Sequence, residues 1–380
     1  MANITFGSKR IFNDADTGDT KICSLTSTKV AVAFRDNGDS NKLKIIIGDI
    51  SGDNISWGSE YSLSAGYADA YGICRMDNTH FVISYKENAD SKPRVVCCSV
   101  SGNVITIGTK QVLSNLESSS MSGQGMTVCR LTDTKFAVYY IIIDTTWKSK
   151  LRACTISGTD ITLGDEYAVI TGQAGGYSAS SISMCRMTDD QFVVSLKDGQ
   201  ETGHGQCLVV DVSGTELTIS SQYEFSTIGD SGTSHTDICA LSSTKFAVIY
   251  GYYDSSKYRI RVIIGDVSSS TISYGTPVQV SSDNGGSYGK IVMLSSTTFI
   301  ISYTYGSVAA VNLGTVNGNE ITLSNTTQFN NAYSPGSSLA LLSSTSFILT
   351  FVDYGNSYKG TAMIGTVSLS SFIPRTMWFN

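Results

Sequence analysis

Charge is scarce in this chain: 15% of its 380 residues are Asp, Glu, Lys or Arg, against roughly 25% in soluble domains. Solvation therefore falls on Ser, Thr, Asn and Gly. The balance is acidic, with a net charge of −6 and a pI near 5.1. The clustered Lys and Arg that would displace counterions from nucleic acid are missing, so no nucleic-acid partner is expected. Long apolar runs are missing too, and nothing approaches the ~18 residues a membrane helix needs. The longest, Phe136 to Ile143, reads as a buried strand, and no membrane insertion is expected. The opening Met-Ala-Asn-Ile-Thr lacks the basic and apolar regions of a secretory signal. Synthesis in a cytoplasm is the expectation.

Helical spacing is equally absent, because no window of ten or more residues repeats its apolar positions at a 3.6 period. CxxC and paired-His spacings do not occur, so neither metal nor cofactor is expected. His80, His204 and His235 stand without a nucleophile motif. The chain is therefore expected not to be an enzyme.

What the chain does have is repetition. The stretch Ile238-Cys-Ala-Leu-Ser-Ser-Thr-Lys-Phe-Ala-Val-Ile-Tyr250 is one copy of a pattern that recurs seven times. Its small apolar slot is Cys23, Cys74, Cys129, Cys185, Cys239, Val292 and Ala340, at spacings of 48 to 56 residues. Repeats of that length form arrays with one continuous core. Because Val and Ala also occupy the slot, its cysteines read as buried free thiols, and all nine cysteines of the chain are expected reduced.

Each repeat reads as four short strands, A to D. In the second, A is Gly72–Met76, B is Phe81–Tyr85, C is Pro93–Val100 and D is Val104–Val112. Ser, Thr, Asp and Gly turns separate them, as β structure requires. Strand D opens with Ile-Thr/Ser-x-Gly or a close variant, at Ile55, Ile105, Ile161, Leu217, Ile272 and Ile321. The same signature stands once before any complete repeat, as Ile4-Thr-Phe-Gly7, while the seventh repeat lacks it. The N-terminal strand, about residues 3 to 13, is therefore expected to complete the last sheet and remove its open edges.

With these features the chain resembles the seven-bladed β-propellers as a superfamily. The resemblance implies an all-β fold of four-stranded antiparallel blades in one domain covering residues 1–380. Repeats begin near 20, 72, 126, 182, 236, 289 and 337, with a C-terminal tail at 369–380. The Trp-Asp ending of WD40 repeats, the kelch pattern and the sialidase box are all absent, so the resemblance implies architecture and not activity.

In such a ring the A–B and C–D turns share one face, and the variable B–C and D–A connections share the other. Binding is expected on the variable face. An acidic residue stands at the exit from strand B in six repeats: Asp36, Glu87, Asp144, Asp198, Asp254 and Asp353. These carboxylates suit sugar hydroxyls or a cation, although Asp also starts turns by accepting from its own downstream amides. Tyr71, Trp147, Tyr177, Tyr253, Tyr288 and Tyr333 supply flat faces for pyranose rings, and His204 lies in the same set of loops.

The expected function is non-enzymatic, lectin-like recognition of a glycan or protein surface, as on a phage or virion surface protein. The alternative is a structural propeller in a larger assembly, a homo-oligomer or virion, joined through the C-terminal tail. A weaker alternative is a carbohydrate-active enzyme, marked by two carboxylates about 5 to 10 Å apart.

Overall fold

The computed structural model describes residues 3–117, 125–144, 146–169, 180–197, 203–226, 233–254, 257–280 and 287–368. About three quarters of them are strand, and turns and loops make up nearly all the rest. One turn of 3-10 helix, Tyr354–Asn356, is the only helical element among the described residues.

The first unit shows the plan. β1 (Asn3–Phe6) precedes β2 (Arg10–Thr26), β3 (Lys29–Asp36), β4 (Lys42–Ser51) and β5 (Asn54–Trp57). The second half of β2 pairs with β3, β3 with β4, and β4 with β5, all antiparallel. The outer strand then resumes in β6 (Tyr61–Arg75), which pairs with β4 before becoming the innermost strand of the second unit. The same order heads five further units, beginning at Met126, Ser180, Thr233, Ser287 and Ser338. Because β2 and β6 each pass from one unit into the next, the units nearest the chain ends merge into a 13-stranded network beside four five-stranded sheets.

The first strand meets the last described strand, as expected. β1 pairs with Lys359–Ser368 in the register Asn3↔Ser368 to Phe6↔Gly365, and Arg10–Asp16 of β2 continues along the same strand. Each innermost strand packs against the next, and the last returns to the first. The core confirms the circle, because it divides into seven apolar clusters, each shared by two adjacent units. The closing cluster joins Phe12, Ile22 and Val30 to Ala340, Ile348 and Ile364. The fold is a β-propeller.

The repeated residues explain themselves in this packing. Phe81, Phe136, Phe192, Phe246, Phe299 and Phe347, which open the second strands, are fully buried, and each such burial contributes about 2–3 kcal/mol. Ile4, Ile55 and Ile105, which open the outer strands, are buried between units. The turns after the innermost strands are alike in all seven units. Ser, Thr or Asp accepts from the amide two residues on, as in Thr28 N→Thr26 Oγ1 at 3.1 Å and Thr244 N→Ser242 Oγ at 3.2 Å. Lys29 and Lys245 then bridge units, each reaching the Asp of its own third strand and an Asn in the next unit's turn (Asp49 and Asn103, Asp266 and Asn319).

The outer strand departs from the sequence reading. Val104–Val112 is not continuous but splits into Val104–Ile107 and Gln111–Val112. Gly108 turns its amide to Cys97 O at 2.9 Å, and a Cβ there would lie 2.5 Å from Thr159 O of the next unit. Glycine is needed because two backbones nearly touch. All nine cysteines are free. Burial pushes the Cys23, Cys97, Cys129, Cys154 and Cys207 thiols up to about 12.

A candidate binding cleft at the closing seam

Where the first and last units meet, their variable loops enclose a cavity of about 280 Å³. Asp16, Asp19, Arg35 and Asn37 line one side, and Tyr354 and Tyr358 the other.

Two buried carboxylates build these walls. Asp36 accepts from Gly38 N at 3.0 Å and Asp39 N at 3.2 Å, and pairs with Lys44 at 2.7 Å. The tight turn this makes lets Asn37 accept from Arg35 Nε at 2.8 Å and donate to Asp16 Oδ1 at 3.0 Å. On the other wall, Asp353 Oδ1 accepts from Gly355 N at 3.1 Å and Asn330 Nδ2 at 2.9 Å, while Oδ2 pairs with Lys9 at 2.8 Å. Asp353 thereby caps the 3-10 turn that displays Tyr354. Tyr358 follows in the left-handed region at φ 61°, a conformation that costs a bulky residue about 1–3 kcal/mol and gathers at binding sites. Its carbonyl accepts from Thr17 N at 2.9 Å, stitching the walls together.

The aromatic surface is continuous. Tyr333 meets Tyr354 edge-on at 5.2 Å, and Tyr354 meets Tyr358 at 4.5 Å. Tyr354 and Tyr358 are 43% and 46% exposed, large values for aromatics so tightly associated. Burial, then the neighbouring tyrosines, Asp16 and Asp19, push the Tyr354 phenol up, so it stays a neutral hydrogen-bond donor. Arg35 is spoken for, since it pairs with Asp69 and lies 5.3 Å over the Tyr67 ring.

The residues singled out in the sequence fall in several places. Tyr333 joins the aromatic run, and Asp36 and Asp353 support the cleft from beneath. Tyr71 is buried in the core between the second and third units. His204 is buried, with Nδ1 at 3.3 Å from Glu224 Oε2. Tyr253 packs on Tyr258 at 5.0 Å, at the end of the fifth unit's long hairpin. Tyr177 and Asp198 lie outside the described residues, as do the side chains of Trp147, Asp254 and Tyr288. Of the acidic residues at strand exits, Glu87 pairs with Lys110 at 3.2 Å. Among the described residues no group of three His, Cys, Asp or Glu is arranged for a metal. The loops Asp36 to Asn41 and Asp353 to Tyr358 belong to the variable face to which the sequence points, but only their first residues were singled out, and Asp16 and Asp19 were passed over. The further signal was two tyrosines in the six residues from Asp353 to Tyr358.

No family model matches the chain, and no curated protein matches its sequence. Solved structures do resemble it. An ulvan lyase bound to -[GlcA(1-4)Rha3S]- aligns with TM-score 0.58 and 9% identity, over 94% of this chain and 95% of that one. The N-terminal domain of Nup159 aligns with TM-score 0.50 and 10% identity, over 97% and 96%. An α-L-arabinanase from Penicillium chrysogenum, complexed with arabinobiose, aligns with TM-score 0.50 and 10% identity, over 77% and 91%. Likeness at such identities establishes the fold alone. These relatives in fold include enzymes, so architecture does not settle whether this chain is one.

Proposed function

We propose that this chain is a seven-bladed propeller acting as a non-enzymatic binding module, which holds a glycan in the cleft between its first and last blades. The observation that carries this reading is the exposed Tyr354–Tyr358 pair facing Asp16 and Asn37 across a cavity of about 280 Å³. Aromatic faces shed water readily against the C–H face of a pyranose ring. Carboxylate and amide groups beside them fix the hydroxyls and so the orientation. Two fold relatives were solved with saccharides, which is in keeping with this reading.

The test is a glycan array probed with the intact chain, followed by titration of the best binder. Binding that falls on Tyr354→Ala or Tyr358→Ala supports the cleft. A blank array, or binding that survives both substitutions, refutes it.

A further inference from the structure

Two positions before the repeated small apolar slot, every innermost strand places one residue in a common layer: Lys21, Gly72, Thr127, Ser183, Asp237, Lys290 and Ser338. All seven line a second cavity, of about 250 Å³, on the axis of the ring. Their registers are equivalent, from Lys21↔Ala33 to Ser338↔Thr350. The residues that follow them, among them Ile22, Ile73, Val128, Ile238 and Ile291, are apolar and also line the cavity. Gly72 and Thr127 fill the layer without charge, so the fold itself does not call for charge there. Three ionisable groups are nonetheless present, Asp237 with its side chain 14% exposed and both lysines half-buried, and charge withdrawn even partly from water is costly unless it is paired.

The pairing is incomplete. Asp237 Oδ1 accepts from Ser183 Oγ at 2.7 Å and lies 3.6 Å from Lys290 Nζ. Its Oδ2 accepts from Ile291 N at 2.9 Å. Lys290 and Asp237 thus balance one another. The Lys21 ammonium has no hydrogen bond or ion pair among the described residues. Burial pushes its ammonium down, Asp19, Asp237 and Asp69 push it back up from a distance, and Lys290 opposes them. Between the two lysines in ring order stands Ser338. Its Oγ accepts from Ile22 N at 3.2 Å, which leaves the hydroxyl hydrogen to donate.

We propose that the axial cavity is a binding site for a small monocarboxylate, seated on Ser338 between Lys21 and Lys290. The layer has one cation more than it has anions, so a single negative charge completes it while a phosphate dianion overshoots. Two ammonium donors and one hydroxyl match the two oxygens of a carboxylate. This site is separate from the tyrosine cleft and does not depend on the glycan reading.

Calorimetric titration of the full chain at fixed ionic strength tests it, with acetate as the probe, acetamide as its neutral counterpart and inorganic phosphate as the alternative anion. Acetate is expected to bind saturably, acetamide not at all, and phosphate more weakly than acetate. Lys21→Met is expected to weaken acetate by about tenfold or more, and Ser338→Ala by a few-fold. Tyr358→Ala should leave acetate binding unchanged. Circular dichroism establishes that each variant is folded, and Ser338→Ala serves alone should Lys21→Met misfold. Acetate binding no better than acetamide, phosphate binding tighter than acetate, or a folded Lys21→Met that binds like the parent would each overturn the assignment.

Discussion

The two faces of this ring are made by the same strands and differ in nearly everything else. On the turn face the chain solves one problem seven times, with the same short turn and the same amide caught by Ser, Thr or Asp. On the loop face the described connections are not one turn repeated. The first and last use a buried Asp to shape a turn, while the third and fifth send out long hairpins, Lys135–Asp144 with Thr146–Ser157 and Lys245–Asp254 with Lys257–Ser268. The repeated chemistry belongs to the scaffold, and the proposed cleft lies where the chain departs from it.

The largest expected effect lies in the scaffold beneath both faces. Phe246→Ala empties a fully buried slot and should cost about 3–5 kcal/mol in denaturant unfolding. Any loss of glycan binding in that variant should track unfolding. Next comes the loop face alone. Tyr354→Ala should weaken the best array glycan by roughly tenfold, as expected for an aromatic contact of about 1–1.5 kcal/mol. Tyr358→Gly should weaken it similarly while leaving stability unchanged or raised by about 1 kcal/mol, because glycine relieves the left-handed strain.

Only part of this was legible in the residues. Ile4-Thr-Phe-Gly7 announced ring closure because its Ile fills the same slot between units that Ile55 and Ile105 fill. The cleft did not announce itself, since it joins Asp16 and Asp19 to Tyr354 and Tyr358 from opposite ends of the chain. Neither loop repeats elsewhere, so no periodicity marks it. The acidic residue at the strand exits was visible, but at Asp36 and Asp353 its carboxylate serves the local turn and a lysine. Facing a ligand and building the wall behind it look alike in sequence.

A third effect reaches the whole ring through its thiols. Burial holds five cysteines near 12 in the folded chain, while the unfolded chain ionises them near 9.0, their ordinary value. The folded state therefore keeps protons that the unfolded state releases, and stability should fall as pH rises from about 9 towards 12. Melting temperature measured across that range checks it, and Cys23→Ala should flatten the decline. The smallest effect belongs to the turn face. Ser295→Ala and Ser343→Ala should each cost about 0.5–1 kcal/mol, and nearly the same amount, because each Oγ accepts from the amide two residues on and meets the hydroxyl three residues on. Unequal losses would break the equivalence claimed for that face.

The most direct measurement compares the faces in one titration of the best array glycan, using the double variant Tyr354→Ala/Tyr358→Ala and the turn-face control Ser242→Ala/Ser295→Ala, both verified as folded. The expected result is a loss of roughly a hundredfold in the first and an unchanged affinity in the second. Equal affinities in the two variants, or a loss confined to the turn-face control, would contradict the assignment of binding to the cleft at the closing seam.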